Sequence, residues 1–522
     1  MQPTREQLLE RLARSPALDL AVIGGGATGL GVALDAAARG LSVALVEAVD
    51  FAKGTSSRAT KLAHGGVRYL AQGNLALVRE ALRERALLLR NAPHLAQPLP
   101  FLLPLYGARG RWLDRGFYGA GLLAYDLLAG AHRMGRTEFL GAAQAARASP
   151  GLRTEGLAGA VRYWDGQFDD ARLAVALARS AIERGATLLN HCAAVELTHA
   201  AGRICGVVAE DRETGSRHAL RARCVINATG VWVDSVRRMD RAPRGELVAP
   251  SQGVHLVVER DFLPGGHAIL VPRTRDGRVL FAVPWLGKVI LGTTDTPRSD
   301  LAQEPEPFRE EIDFILGEAG RYLARAPARG DVRSVWVGLR PLVRAPNEDP
   351  GDTKALSREH AVLVERSGLV TVTGGKWTTY RAMAEDVLAL CMDSGLLPAR
   401  AAGATASLPL VGAQVAGAHA LSEAPGLHLY GCEAPLVQSL PGAHVELAPG
   451  LSEAMVRFAV RHEYARSVED VLARRSRLLF LDARLAAQVA PRVAALLGEE
   501  LGEAFDAARS LRDFTRLAAQ YA

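Results

Sequence analysis

The chain has 522 residues, 49% of them hydrophobic, so it is too long for one ordinary core and too apolar for a disordered protein; we expect two or three domains. Its 62 lysines and arginines exceed its 56 aspartates and glutamates by a formal net charge of +6, which suits an anionic substrate or membrane surface and does not indicate nucleic acid as a partner. Its five cysteines are widely spaced and form no C-x-x-C pair, which excludes a disulfide framework or structural zinc site and predicts a reducing cytoplasmic setting without a bound metal.

The first predicted elements form a βαβ unit with a glycine-rich turn. An apolar run at 20–23 predicts a buried parallel strand, and a second run at 43–46 ends at Glu47. Between them, three glycines stand in G-x-G-x-x-G spacing before a helical pattern: Gly24, Gly26 and Gly29. This spacing allows a tight turn, close approach of the backbone to a pyrophosphate at the helix N-terminus, and close packing of helix on strand. Because an acid at this distance can accept hydrogen bonds from a ribose, Glu47 completes the prediction of a dinucleotide site.

The next segment, 51–70, is a loop rich in small polar residues, with the sequence FAKGTSSRATKLAHGGVRYL. A helical pattern then runs from Leu75 to about Leu89, and prolines follow it. Residues 116–132 combine apolar and aromatic side chains between arginines, so they predict either a helix in a membrane interface or an amphipathic helix that faces the core. No stretch of 18 or more apolar residues is present, so we expect no membrane-spanning helix.

Helical and strand patterns alternate in the middle of the chain. Asp170 is expected to cap a helix rich in alanine and leucine, and a β-rich pattern extends from 253 to about 292. Strands are predicted at 187–189, 194–197, 204–208, 224–227 and 369–373. Two of these strands run into turns, formed by Ala228, Thr229 and Gly230 in one case and by Gly374, Gly375 and Lys376 in the other.

The dinucleotide domain is therefore predicted to consist of three separated segments, about 18–85, 165–235 and 355–390. The residues between them, about 86–164 and 236–354, predict an inserted substrate-binding domain, so that 1–390 forms a two-domain body. A stretch rich in alanine, glycine and proline at 391–426 predicts a linker. The remainder, 427–522, predicts a C-terminal helical domain.

A binding domain interrupted in this way suits a long cofactor held by several loops, and it resembles the two-domain FAD oxidoreductases of the D-amino-acid-oxidase type. Four further motifs narrow the resemblance: SSRATKLAHGGVRYL at 56–70, NATGVW at 227–232, GLRPL at 338–342 and GGKWTTYR at 374–381. Together they resemble the FAD-dependent glycerol-3-phosphate dehydrogenases, over roughly residues 18–490. Thr60 and Trp377 depart from the residues that are common in that family.

That resemblance implies an α/β fold with an FAD-binding Rossmann-like domain of the D-amino-acid-oxidase type, a β-rich substrate domain and a C-terminal helical domain. It implies oxidation of sn-glycerol 3-phosphate to dihydroxyacetone phosphate, with hydride transfer to FAD and electrons passed on to a quinone. It also implies peripheral contact with the inner face of the cell membrane, while monomer and homodimer both stay open. The alternative is a glycerol-3-phosphate oxidase, which passes the electrons to oxygen and produces hydrogen peroxide.

The resemblance also indicates which residues bind substrate and move protons. The residues expected to bind substrate are Arg68, Tyr69, Arg340, Arg358 and Lys376. Arginine suits a phosphate because its planar fork donates two parallel hydrogen bonds, although each arginine could instead be an ion-paired surface residue and Tyr69 could pack in the core. Three residues are expected to be catalytic: His64, Arg340 and Lys376. An imidazole titrates near neutral pH, so His64 is the candidate for proton transfer, with a simple hydrogen bond to the flavin as the alternative.

The residues expected to contact FAD come from several turns and one loop. They are Gly24, Gly26, Gly29, Glu47, Ser57, Thr60, Lys61, Leu62, His64, Gly65, Gly66, Ala228, Thr229, Gly230, Gly374, Gly375 and Lys376.

An RNA-modifying flavoprotein would instead show clustered basic residues with interleaved aromatics, whereas the arginines here are dispersed among acids and aromatic residues make up only 6% of the chain. A non-catalytic binder would have no reason to keep Arg68, Arg340 and Lys376 together with the whole motif at 56–70.

Overall fold

The computed structural model of the chain describes residues 3–14, 17–66, 74–107, 115–240, 245–272, 274–344, 359–401, 403–414 and 419–522. The α-helices in chain order are α1 (Arg5–Arg14), α2 (Ala27–Ala38), α3 (Leu75–Asn91), α4 (Arg115–Ala129), α5 (Ala142–Ala148), α6 (Asp170–Glu183), α7 (Val233–Asp240), α8 (Arg309–Ala319), α9 (Tyr380–Asp393), α10 (Ala434–Gln438), α11 (Glu453–Glu463), α12 (Leu478–Leu481), α13 (Ala483–Leu501) and α14 (Ala507–Tyr521). A short π-helix, Asp470–Arg475, precedes α12.

The strands in chain order are β1 (Leu18–Ile23), β2 (Val43–Val46), β3 (Leu62–Ala63), β4 (Ala96–Tyr106), β5 (Glu138–Gly141), β6 (Leu157–Phe168), β7 (Thr187–Leu189), β8 (Cys192–Ala200), β9 (Arg203–Asp211), β10 (Arg217–Asn227), β11 (Val248–Glu259), β12 (Ala268–Val271), β13 (Leu280–Trp285), β14 (Lys288–Gly292), β15 (Thr296–Pro297), β16 (Ser334–Val343), β17 (His360–Val364), β18 (Leu369–Gly374), β19 (Glu446–Ala448) and β20 (Leu451–Ser452). Most of them belong to two large sheets.

The first sheet has the strand order β17-β18-β10-β1-β2-β7, and its strands from β18 to β7 are parallel. β17 closes one edge in antiparallel orientation, while β8 and β9 extend the sheet from the first half of β10. β1 and β2 are almost wholly buried, as expected of parallel strands covered on both faces. α2 packs on these strands and against α6 and α9. This arrangement confirms the α/β fold with an interrupted Rossmann-like domain.

The register of the first sheet brings the ends of its strands together. Ile23, the last residue of β1, pairs with Asn227 on one side and with Val46 on the other. β18 lies next to β10, also in parallel. Because all these strands end at the same edge, the turns that follow them meet there, which is where α/β sheets bind ligands.

The second sheet has the order β15-β11-β14-β13-β12-β4-β6-β3, with β16 paired to β11 and β5 paired to β6. One face packs with α8 around a core that includes Leu102, Val254 and Leu291. The other face packs against the C-terminal helices in one continuous core, which contains Trp285 and Trp336 of the sheet and Phe480 of α12. The C-terminal helical domain is therefore packed on the second sheet.

Two local expectations are modified by the structure. Asp169, and not Asp170, caps α6, since its side chain accepts a hydrogen bond from the N–H of Arg172 and Asp170 is the first helical residue. In the segment predicted as a linker, Leu408 and Leu410 are buried in the core of the first sheet. Among the described residues, no helix has both the length and the apolar character needed to cross a membrane.

Candidate functional site

A cavity of about 550 Å³ lies between the strand-end edge of the first sheet and the second sheet. Its size is in the range of small-molecule and cofactor sites. The first sheet contributes the turns after β1, β2, β10 and β18, and the second sheet contributes residues of β11, β13 and β16. The long loop between β2 and β3 supplies another wall. The cavity therefore joins the predicted dinucleotide edge to the predicted substrate domain.

The glycine-rich turn after β1 opens the N-terminus of α2 toward this cavity. Gly24 has φ 109°, a left-handed conformation that favours glycine, and a Cβ at Gly29 would overlap the carbonyl of Gly24. The helix therefore packs tightly on the strand, and Gly29 itself does not line the cavity. Gly26 and Ala27 do line it, so backbone N–H groups and the positive end of the helix dipole face the space where a pyrophosphate would bind.

Glu47 stands at the end of β2 beside this turn. Its carboxylate accepts hydrogen bonds from the N–H of Gly25 at 2.7 Å and the N–H of Val49 at 3.0 Å. Burial raises the pKa of the carboxyl, although these two hydrogen bonds favour the ionised form. Each oxygen keeps a further lone pair, so Glu47 can also accept from ribose hydroxyls in the cavity.

The loop between β2 and β3 contains several residues predicted to contact FAD, and only some of them line the cavity. Thr60, Leu62 and His64 line the cavity. The side chains of Ser57 and Lys61 are buried behind the loop, where the Lys61 ammonium lies 2.7 Å from Asp170. Gly65 and Gly66 follow His64 but are not among the residues that line the cavity, and the N–H of Gly65 donates to the Tyr125 hydroxyl at 2.8 Å.

The turns after β10 and β18 complete the edge of the first sheet. All six predicted residues of these turns line the cavity: Ala228, Thr229, Gly230, Gly374, Gly375 and Lys376. Gly374 and Gly375 have φ values of 79° and 74°, which allow the chain to turn sharply and bring Lys376 to the wall. The indole of Trp377 donates to the carbonyl of Ser56 at 2.8 Å, and this bond ties the last turn to the loop.

Arg340 brings a positive charge into the cavity from β16. Its guanidinium donates to the hydroxyl of Thr293 at 3.2 Å and to the carbonyl of Gln252 at 3.3 Å, and it lies 3.6 Å from the Asp295 carboxylate. A Cβ at Gly253 would overlap this guanidinium, so glycine at that position leaves it room. These supports orient the arginine for an anionic ligand.

His255 is a cavity residue that the sequence reasoning missed. Its Nε2 lies 2.9 Å from the hydroxyl of Thr60, and its ring stacks on Trp336 with 5.3 Å between centroids. Burial, and then the charges of Arg340 and Lys61, lower its pKa well below the usual value, so the imidazole is neutral at neutral pH. Nδ1 is buried without a hydrogen-bond partner among the described residues. The one available signal was a histidine inside an apolar strand run.

Three of the predicted substrate-binding residues, Arg68, Tyr69 and Arg358, lie outside the described residues. The site as described therefore brings together Arg340, Lys376 and His64 from the substrate and catalytic predictions. They share one cavity with the residues predicted to bind a dinucleotide.

Comparisons with known proteins agree with this geometry. Residues 19–381 match the family of FAD dependent oxidoreductases, and residues 403–509 match the C-terminal domain of alpha-glycerophosphate oxidase. The chain is 42% identical to the probable mitochondrial glycerol-3-phosphate dehydrogenase of Caenorhabditis elegans, over 96% of this chain and 73% of that protein. It is 40% identical to the mitochondrial glycerol-3-phosphate dehydrogenase of Homo sapiens, over 96% of this chain and 72% of that protein.

A solved structure extends the similarity to the whole chain. The glycerol-3-phosphate dehydrogenase of Bacillus halodurans complexed with FAD superposes with a TM-score of 0.78. Its sequence is 29% identical, and the match covers 99% of this chain and 97% of that one.

Proposed function

The chain belongs to the FAD dependent oxidoreductases and, within them, to the glycerol-3-phosphate dehydrogenases, and we propose that it oxidises sn-glycerol 3-phosphate to dihydroxyacetone phosphate. One observation carries the proposal: a single cavity joins the dinucleotide-binding edge of the first sheet to Arg340 on the second sheet. A phosphate held by that guanidinium places the rest of a small substrate beside the cofactor.

The residues present fit FAD as the cofactor. The exposed N-terminus of α2 suits the pyrophosphate, Glu47 suits a ribose, and the turns after β10 and β18 extend the wall toward the second sheet. When bound, FAD accepts the hydride that leaves C2 of the substrate. Lys376, in the turn after β18, would place a positive charge near the negative charge that FAD gains with the hydride.

The chain's own residues bind the substrate and receive its hydroxyl proton. Arg340 holds the phosphate, and the proposal assigns Arg68, Tyr69, Arg358 and Lys376 to the same anion. As the hydride leaves C2, the O–H bond of the C2 hydroxyl breaks and the C=O bond forms. The hydroxyl proton passes to the imidazole of His64. His64 is the better-placed acceptor because it lines the cavity without being fully buried, whereas His255 is only 2% exposed.

A quinone is the proposed electron acceptor, and oxygen is the alternative. The mitochondrial dehydrogenases among the relatives support a quinone. Oxygen stays an alternative because residues 403–509 match a domain that is named for an oxidase. With glycerol 3-phosphate we expect rapid reduction of a water-soluble quinone without oxygen, and little hydrogen peroxide in air without quinone. Stoichiometric peroxide at a rate equal to that of quinone reduction would contradict the dehydrogenase assignment and favour the oxidase.

We further propose that α4 contacts the inner face of the cell membrane. One face of this helix packs through Leu122 and Tyr125 inside the protein, while Leu123 and Leu127 are 49% and 82% exposed on another face. Arginines follow at 133 and 136. Exposed leucines beside cationic residues suit an anionic lipid surface, so the helix combines both roles that the sequence left open.

The double change Leu123→Glu and Leu127→Glu is expected to abolish cosedimentation with anionic lipid vesicles, because it places two negative charges at the proposed contact. Activity with a water-soluble quinone should not change, since neither residue lines the cavity. Leu436→Glu is the matched control, as Leu436 is 42% exposed on the C-terminal domain. Unaltered vesicle binding by the double variant would rule out α4 as the contact.

A further inference from the structure

The loop that forms one wall of the cavity is supported from behind by the C-terminal domain. Residues of this loop between Lys53 and Thr60 line the cavity. The segment 469–477, which contains the π-helix, lies on the opposite side of the loop and makes its contacts there. Among the described residues, none after Thr378 lines the cavity, so the C-terminal domain can act on the cofactor only through other residues.

The first contact fixes the start of the loop through Asp50. This fully buried carboxylate accepts from Arg475 at 2.6 and 2.9 Å and also from Arg474, and the amide of Asn190 donates to it at 2.9 Å. Burial alone would raise the pKa of Asp50, but the charges of Arg475 and Arg474 hold it well below its usual range. His191 and Asp470 lie close by, with His191 Nε2 2.9 Å from the Asp470 carboxylate, and Arg474 also pairs with Asp470. Asp50 therefore stays ionised and paired.

The second contact holds a cation of the cavity wall. The Lys53 ammonium pairs with Glu469 at 2.6 Å and with Glu304. Glu304 also pairs with Arg58, another wall residue, at 2.6 Å and accepts from the hydroxyl of Tyr521 at 2.9 Å. Two carboxylates behind the wall therefore set the positions of Lys53 and Arg58. Glu469 belongs to the C-terminal domain, and Glu304 contacts the last helix of that domain.

The third contact holds the middle of the loop through Arg477. This fully buried residue donates to the carbonyl of Ser57 at 2.8 Å and to the carboxylate of Asp170 at 3.0 Å. Lys61 donates to the same two groups. Ser56, next in the chain to Ser57, accepts from the N–H of Ala27 at 2.9 Å, so the loop position is transmitted to the N-terminus of α2.

We propose that the segment 469–477 is a clamp that holds the cofactor loop, residues 50–61, in the conformation that binds FAD. Its residues are positioning residues, because they touch the loop and not the cavity. Affinity is gained when a binding loop is ordered before the ligand arrives, and charged hydrogen bonds at three points along one loop provide that order. The inference rests on FAD as the cofactor and does not depend on which substrate is oxidised.

The test measures release of FAD from the holoenzyme, followed by the rise of flavin fluorescence after dilution, without substrate. Arg477→Met keeps much of the side-chain volume and removes its donors, and we expect it to accelerate FAD release about tenfold or more. The matched control is Arg179→Met, since the buried Arg179 also joins α6 to the C-terminal domain, with two bonds of 2.6 Å to the half-buried Glu433. Its partner lies outside the clamp, so this variant should release FAD at the rate of the unaltered protein.

A second variant covers the case in which Arg477→Met does not fold. Glu469→Gln keeps the shape of the side chain but removes one of the two negative charges that pair with Lys53, and we expect a smaller acceleration of about threefold or more. Unchanged release in the folded clamp variants would overturn the proposal. Equal acceleration by Arg179→Met would also overturn it, because the effect would then belong to domain stability in general.

Discussion

Replacing Arg340 by methionine is expected to raise the KM for glycerol 3-phosphate and to lower kcat/KM about 10- to 100-fold, because a charge-assisted hydrogen bond to the phosphate is lost. FAD content should stay unchanged, since Arg340 extends from β16 of the second sheet, whereas the residues proposed to bind the pyrophosphate and ribose belong to the first. Steady-state kinetics over a range of substrate concentrations provides the measurement. Arg344→Met is the control, as Arg344 follows the same strand and pairs with Glu246 at 3.1 Å.

The variant Gly253→Ala is a second test of the role of Arg340. The added methyl group would overlap the guanidinium of Arg340 and crowd the hydroxyl of Thr293, so the arginine must move while its charge remains. We expect a rise in KM in the same direction as for Arg340→Met and of smaller size. Unaltered kinetics in Arg340→Met would refute the assignment of the phosphate to this residue.

The second large effect is expected at His64. Loss of a general base typically lowers the rate about 10²- to 10⁴-fold, so His64→Asn should reduce kcat by that order while the KM changes little. The rate of flavin reduction in a single turnover, followed as a function of pH, is the measurement. If His64 only forms a hydrogen bond with the flavin, the variant instead changes the visible spectrum or FAD content and leaves the pH profile of the rate in place.

The parallel variant His255→Asn separates the two imidazoles. His255 contacts Thr60 and is buried against Trp336, so its loss should affect the rate less than the loss of His64. A large decrease in kcat confined to His255→Asn would transfer the role of base to that residue. The lowered pKa of His255 keeps its ring neutral at neutral pH, but it also makes the imidazole a weaker proton acceptor, which favours the smaller effect.

The dinucleotide part of the site could be predicted because its signal is local. A buried strand, a glycine turn and a helix follow one another within residues 18–38, and backbone conformation and packing require glycine at Gly24 and Gly29. The turns at 228–230 and 374–376 were found for the same reason, since each follows a parallel strand at the edge where such strands end.

The remaining features depend on long-range pairing that local patterns do not encode. His255 reaches the cavity because β11 pairs with β14 and β16, and a histidine inside an apolar strand run does not by itself indicate that pairing. Lys61 stands within the motif at 56–70, yet its ammonium pairs with Asp170 on the far side of the loop. The contacts of Arg477 join residues about 300 and 420 positions apart in sequence, so the C-terminal domain's contact with the loop could be seen only in the folded structure.

The most direct test of the proposed function is the visible spectrum of the purified protein under anaerobic conditions, before and after addition of glycerol 3-phosphate. We predict the bands of oxidised FAD at the start and their bleaching by glycerol 3-phosphate, with no bleaching by glycerol or by an amino acid. That pattern would require both the cofactor edge and the phosphate site described above. Flavin bands that stay unchanged with glycerol 3-phosphate would contradict the proposed substrate.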